Sequence, residues 1–133
     1  MRIDGHYLGD LKNRVSQGDH ELVIDLPKEY GGTNDSFSPT DLVAIGLATC
    51  VVAMITTTAK SFSTNVDGMS WFIDKEMTTD QPIRFASLKL TIQIPHDLSE
   101  KERKRIETAA HRCPVHNSLA DDTDKEITFI YGE

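Results

Sequence analysis

Ser38-Pro39-Thr40-Asp41-Leu42-Val43-Ala44-Ile45-Gly46-Leu47-Ala48-Thr49-Cys50-Val51-Val52-Ala53-Met54-Ile55 is the stretch that decides the fold. Ser38 suits an N-cap, Pro39 suits the first helical position, and Asp41 stands where a capping-box acid reaches back. The same acid favours the positive end of the helix dipole. The spacing predicts a helix from Pro39 to about Ala59. It is apolar nearly all round, the pattern of a helix buried on most faces. Ala44, Gly46, Ala48 and Ala53 are small, so a neighbour can pack close. A chain of 133 residues has little material to surround so long an apolar helix, which argues for a homodimer in which a second copy supplies part of the cover.

Strand signals lie on both sides. Residues 1–26 read as strands, with turns at Tyr7–Asp10 and Ser16–Asp19. In the strand after the second turn, Leu22, Ile24 and Leu26 are expected to face the core, with Val23 and Asp25 opposite. Gly31-Gly32-Thr33-Asn34-Asp35-Ser36 is a dense run of turn residues, read as a connector or as a substrate rim ahead of the helix. Met69 to Thr78 is a second strand region. Arg84 to Ile94 is the clearest, with Leu88, Leu90, Ile92 and Ile94 alternating with Ser87, Lys89, Thr91 and Gln93. Ser99-Glu100-Lys101-Glu102 is a capping box, and its helix runs to about His111. Pro114 cannot continue that helix but can open a short new one. Ile127 to Tyr131 is a last strand. The order is that of an α+β fold, a single domain over residues 1–133 with a mostly antiparallel sheet packed on a central helix.

The formal charge of −7 argues against a nucleic-acid surface. The basic run Lys101 to Arg105 is diluted by Glu100, Glu102 and Glu107, as on a solvated helix face. The N-terminus lacks the apolar core of a signal peptide. Leu42 to Ile55 is only 14 residues, short of the roughly 20 that span a bilayer. The expectation is a cytoplasmic protein without a membrane partner. In that compartment two cysteines point to catalysis, redox chemistry or metal binding.

Those cysteines are Cys50, in mid-helix, and Cys113, before Pro114 and 63 positions later. Neither belongs to a CxxC motif. Two thiols remote in sequence and close in space can reduce a peroxide: one attacks the O–O bond and becomes a sulfenic acid, and the other condenses with it. Cys50 among apolar neighbours has no built-in activation, so it needs a cation; Arg2, Lys12, Arg14 and Arg84 are candidates. Cys113 is flanked by His111, Arg112 and His116. Two other readings stay open. Cys50 can be a small core hydrophobe. His111, Cys113 and His116, with Cys50, can be a tetrahedral metal set. His6, His20 and His96 read as surface residues.

Ser38-Pro39-Thr40-Asp41-Leu42 with Ala48-Thr49-Cys50, then Cys113-Pro114-Val115-His116-Asn117-Ser118-Leu119, resembles the OsmC/Ohr family of thiol peroxidases. Tyr7-Leu8-Gly9-Asp10-Leu11 and the Gly31-Gly32 loop extend the likeness over nearly the whole chain. The resemblance implies an intertwined α+β homodimer, with antiparallel sheets wrapped around central helices and active sites at the subunit interface. It implies a hydroperoxide reductase of oxidative stress defence, with Cys50 peroxidatic and Cys113 resolving. The implied substrate is an organic hydroperoxide, held in an apolar pocket that Leu47, Val51 and Met54 would line. A dithiol is the implied reductant, with no metal or bound cofactor. Family peroxidases carry Glu after the helix-starting Pro and an N-terminal Arg. Here Thr40 and Asp41 follow that Pro, and Lys12 and Arg14 are nearest to the Arg position. These four are the candidate thiolate-activating residues. The other function open on this fold is a non-catalytic protein holding an apolar or acyl ligand at the dimer-interface pocket.

Overall fold

The structure is a computed structural model that describes residues 1–132. The chain forms two compact units, Met1–Val43 and a second from Ala44 onward.

In the first unit, β1 (Asp4–Gly9), β2 (Lys12–Gln17) and β3 (His20–Ile24) make an antiparallel sheet in that order. The β1–β2 turn holds Asp10 and Leu11 at positive φ, following Gly9 at φ 91°. The β2–β3 turn is at Gly18-Asp19, the Gly having φ 56°. After β3 a single 3-10 turn, Lys28–Tyr30, ends on Gly31 at φ 92°. Gly32 is required for a different reason: a Cβ there would lie 1.9 Å from the Leu26 carbonyl oxygen. The expected facing of β3 is corrected here. Leu22 and Val23 are both exposed, and Asp25, placed by alternation on the outer side, is fully buried. Its carboxylate collects enough local hydrogen bonds to be stable there, so polar satisfaction overrides the apolar pattern.

Helix α1 (Pro39–Ser61) begins in the first unit and runs on into the second. Its start is as expected: the Asp41 carboxylate accepts from Ser38 N–H at 3.0 Å, and Ser38 Oγ accepts from Asp41 N–H at 3.2 Å. At 23 residues it is about 34 Å long. It therefore has the length and mean hydropathy of a membrane span, although only a third of its apolar window is buried. The apolar run of 14 residues understated this, because Thr56, Thr57 and Thr58 prolong the helix at little polar expense. Their region shows how: Thr56 Oγ1 donates back to Val52 O at 2.9 Å. The expectation of burial on most faces is also corrected. The buried stripe is Ala44, Leu47, Ala48, Val51, Ile55 and Ala59, while Thr49, Ala53 and Thr56 are exposed. No atom comes within 4 Å of a Cβ built at Gly46.

That stripe joins a second three-stranded sheet made of β4 (Ser70–Met77), β5 (Phe85–Ile94) and β6 (Asp124–Tyr131), in the order β4-β5-β6. Leu88, Leu90, Ile92 and Ile94 of β5 are buried, as their alternation requires. β4 pairs with β5 antiparallel, but β6 pairs with β5 parallel, Leu90 opposite Ile127. Strand pairing among the described residues is thus mostly antiparallel, as expected, with β5–β6 the parallel pair. A parallel pair needs a long crossover, and helices α2 (Glu100–Ala110) and α3 (Pro114–Ser118) supply it. The capping box of α2 is complete: Ser99 N–H donates to Glu102 Oε1 at 3.1 Å, and Glu102 N–H donates to Ser99 Oγ at 3.2 Å. Ile106 and Ala110 of α2, Leu98 and Cys113 complete the core cluster with α1 and β5.

Candidate functional site

Pro114 lacks an N–H and cannot extend α2, so the chain leaves that helix extended at Cys113, with φ −65° and ψ 125°. Pro114 then opens α3 with Cys113 as its N-cap. Asn117 N–H donates to Cys113 O at 3.0 Å, and His116 N–H donates to Cys113 Sγ at 3.4 Å. Val115 and Leu119 pack on the core and anchor the short helix. These local choices turn the Cys113 side chain inward, where it is 0% exposed.

Cys50, on α1, is half-buried against the same core. Both cysteines are free thiols. Cys50 packs against the core cluster that holds Cys113, and the two sulfurs are not within disulfide distance. Burial pushes the Cys113 thiol up from its ordinary pKa, and the nearby Cys50 thiol pushes it further in the same direction. The His116 and Val115 N–H groups pull against both. Cys113 therefore holds its proton more firmly than an ordinary cysteine.

Burial lowers the His116 pKa below its ordinary value. Its Nδ1 is buried without a hydrogen-bond partner. Its ring meets that of His111 edge-on, with centroids 5.8 Å apart. His111 Nδ1 lies 2.9 Å from Glu107 O. Among the described residues no three His, Cys, Asp or Glu side chains are grouped to hold a metal. The proposed ligand set of His111, Cys113, His116 and Cys50 is thus not assembled. The Cys-Pro turn seats Cys113 in the core, while His111 is exposed at the end of α2.

The expected pocket residues divide. Leu47 is 1% exposed and Val51 0%, so both are spent on the core, whereas Met54 is half-buried at its margin. A cleft of about 860 Å³ is lined by Glu100, Lys101, Arg103, Lys104, Glu107 and His111, and by neither cysteine.

Of the candidate activating residues, Lys12, Arg14, Thr40 and Asp41 lie in the first unit, each with partners there. Lys12 Nζ is 2.9 Å from Asp35 Oδ2, and that hydrogen bond holds the lysine pKa above its usual value. Arg14 Nε is 3.9 Å from Glu21. Asp41 caps α1, and Thr40 Oγ1 lies 3.3 Å from Ser38 Oγ. Arg2 pairs with Asp4, and Arg84 with Asp122 and Asp80.

Asp25 is the group that pattern reading missed. Its carboxylate accepts from Thr33 Oγ1 at 2.6 Å, Leu26 N–H at 2.7 Å, Asp35 N–H at 3.0 Å and Thr33 N–H at 3.3 Å. The Thr33 hydroxyl is the main cause that holds its pKa down to about 2. A carboxylate with this many donors stays ionised although buried. The signal was present: an Asp at a strand end, ahead of a Gly-Gly-Thr-Asn-Asp loop, is an acceptor positioned to organise that loop.

Comparison with known proteins gives one consistent picture. A family model described as OsmC-like protein matches residues 32–128. A Psychrobacter arcticus structure, described as a candidate osmotic stress induced and detoxification response protein, superposes with a TM-score of 0.89. The sequences are 28% identical, over 96% of this chain and 93% of that one. An OsmC like protein from Mycoplasma pneumoniae gives a TM-score of 0.85 at 19% identity, over 99% and 96% of the two chains. An organic hydroperoxide resistance protein OsmC from Legionella pneumophila gives 0.77 at 20% identity, over 97% and 95%. No curated protein matches the sequence.

Proposed function

Because the chain belongs to the OsmC-like protein family, we propose that it reduces organic hydroperoxides through Cys50 and Cys113. One observation supports this reading: two free thiols 63 positions apart in sequence belong to the same apolar core, Cys113 within it and Cys50 packed against it.

In the proposed reaction the Cys50 thiolate attacks the terminal oxygen of R–O–O–H. The S–O bond forms as the O–O bond breaks, and two electrons pass from sulfur to the peroxide. An alcohol leaves, and Cys50 becomes a sulfenic acid. The Cys113 thiolate then attacks the Cys50 sulfur and expels the oxygen as water, giving a disulfide. An external dithiol restores both thiols by exchange. Met54, at the edge of the core, offers apolar surface for the organic group. Lys12 and Arg14 are the cations proposed to support the Cys50 thiolate, Lys12 after leaving Asp35. Lys lacks the planar fork of Arg, so it would hold a thiolate as a point charge. The unburied side of α1, with the small Ala53 between Thr49 and Thr56, supports a homodimer. In that setting the helix is an interface element of a cytoplasmic protein. Rapid consumption of cumene hydroperoxide with dithiothreitol, lost in Cys50→Ser, is the expected result. Equal, slow consumption by both proteins would refute the reading.

A second reading has an observation of its own. Lys12 is engaged by Asp35, and Asp41 by the helix cap. A protein without an activated thiol would instead hold an apolar or acyl ligand at the dimer interface. Native mass spectrometry separates the two: a retained small molecule with unreactive thiols favours binding.

A further inference from the structure

A resolving thiol must lose its proton before it can attack a sulfenic acid, and the seat of Cys113 opposes that loss. The thiol is fully buried, and core side chains such as Leu47, Val51 and Ala110 accept no proton. Resting on the hydroperoxide-reductase reading, we infer that His116 is the general base of the resolving step: its imidazole Nδ1 takes the Cys113 proton and then gives it to the hydroxide that leaves Cys50.

The start of α3 supplies the geometry. Cys113 is the N-cap and His116 is the third helical residue. His116 N–H donates to Cys113 Sγ at 3.4 Å, the first arm of a capping box with sulfur in place of a hydroxyl oxygen. In the second arm of such a box the side chain of that third residue reaches back to the cap. Here that side chain is an imidazole, and Nδ1 is its ring nitrogen nearer the backbone. Nδ1 is shielded from solvent and has no hydrogen-bond partner. A buried polar atom left unpaired is uncommon in a native fold and requires a reason. The cap does not provide one, because it uses only the backbone N–H of His116, which any residue but Pro would offer. With the ring proton on Nε2, Nδ1 is a free acceptor. Burial is the main cause that lowers the ring pKa; Lys125 and His111 add to it and Asn117 opposes it. At pH 7 most of the ring is therefore the free base.

The balance closes. Cys113–SH and neutral His116 become Cys113–S⁻ and an imidazolium. The two sulfurs, which are not within disulfide distance at rest, then close. The S–S bond forms as the Cys50 S–O bond breaks; the Cys113 sulfur is oxidised and the Cys50 sulfur reduced, both to the disulfide level. The departing hydroxide takes the imidazolium proton and leaves as water. Cys50–SOH and Cys113–SH have become a disulfide and water, and His116 is neutral again.

The test is a single turnover with cumene hydroperoxide and no reductant. Cumyl alcohol reports O–O cleavage, and the disulfide, read by mass after thiol alkylation, reports resolution. At pH 7 His116→Gln should form the disulfide about 100-fold more slowly than wild type, the lower range for loss of a general base, while a sulfenic acid that dimedone traps accumulates on Cys50. The pH profile separates a base from a merely structural residue. Wild-type resolution should be level from about pH 7 to 9 and fall below that as the ring is protonated, whereas in His116→Gln it should rise about ten-fold per pH unit with the unaided thiolate. Disulfide formation by His116→Gln at the wild-type rate would overturn the inference and leave the peroxidase reading standing. Alcohol without a disulfide in wild type would also overturn it, by removing Cys113 as the resolving thiol. No alcohol from wild type would remove the peroxidase reading and the inference with it. If His116→Gln fails to fold, the wild-type profile decides: a level rate above about pH 7 supports the base, and a ten-fold rise per unit refutes it.

Discussion

Adding one equivalent of cumene hydroperoxide to the reduced protein should make it harder to unfold. The proposed product is a disulfide between Cys50 and Cys113, residues 63 positions apart. Such a bond acts mainly on the unfolded chain, from which it removes the freedom of that loop. For a closure of this length the loss is about 14 cal/mol/K, or about 4 kcal/mol at 25 °C. The two sulfurs must first close to bonding distance, and any strain this leaves in the native state subtracts from the gain. With a urea slope of about 2 kcal/mol/M, the midpoint should rise by up to roughly 2 M. The slope itself should fall, since a cross-linked unfolded chain exposes less surface. Urea titrations of the reduced and oxidised protein, followed by Trp71 fluorescence, measure both quantities. Cys113→Ser treated in the same way should show neither change. An unchanged or lowered midpoint after oxidation in wild type would refute the pairing, and so would an equal rise in Cys113→Ser.

Three further outcomes follow from the packing and the loops. Asp25→Asn should destabilise the protein at neutral pH, and that difference should shrink in acid. The carboxylate pKa is lowered from 3.8 to about 2, so its contribution is complete above about pH 4 and lost as pH falls towards 2; urea midpoints of both proteins between pH 2 and 7 would show whether the gap closes. Leu90→Ala, at a side chain 1% exposed in the core, should cost about 2–5 kcal/mol, whereas Lys89→Ala on the opposite face should change the urea midpoint little. Ser99→Ala should cost about 1 kcal/mol by removing the Oγ that accepts from Glu102 N–H, and a loss equal to that of Leu90→Ala would contradict the assignment.

Local chemistry was legible in this sequence, and long-range geometry less so. The starts of α1 and α2 were readable because caps act over three residues, as Ser38 with Asp41 and Ser99 with Glu102 do. β5 was readable because alternation from Leu88 to Ile94 has one period and one meaning. The direction of β6 was not, since Ile127 to Tyr131 alternates equally well beside either neighbour orientation. Asp25 was misplaced because alternation ranks residues by polarity and ignores donors eight and ten positions away in Thr33 and Asp35. Spacing alone could not decide between Cys50 as core filler and Cys50 as a reactive group. Its sharing of a core with Cys113 depends on the crossover, and no local pattern encodes that. Lys12 and Arg14 show the same limit: their charges were evident, but Asp35 and Glu21 as partners were not.

β6 lies parallel to β5, and two parallel strands cannot be joined by a tight turn. The return passage through α2 and α3 is therefore compulsory, and Cys113 is part of it. During synthesis Cys50 leaves the ribosome first and waits for 63 more residues before its partner exists. The native placement of the pair in one core also spans that whole separation, so it belongs to the slow, non-local part of folding. In that interval a sulfenic acid on Cys50 has no resolving thiol in its own chain and is open to further oxidation, beyond repair by a dithiol. Chemical competence is thus acquired last. A nascent or truncated chain meeting peroxide is a casualty, while the finished one is a catalyst.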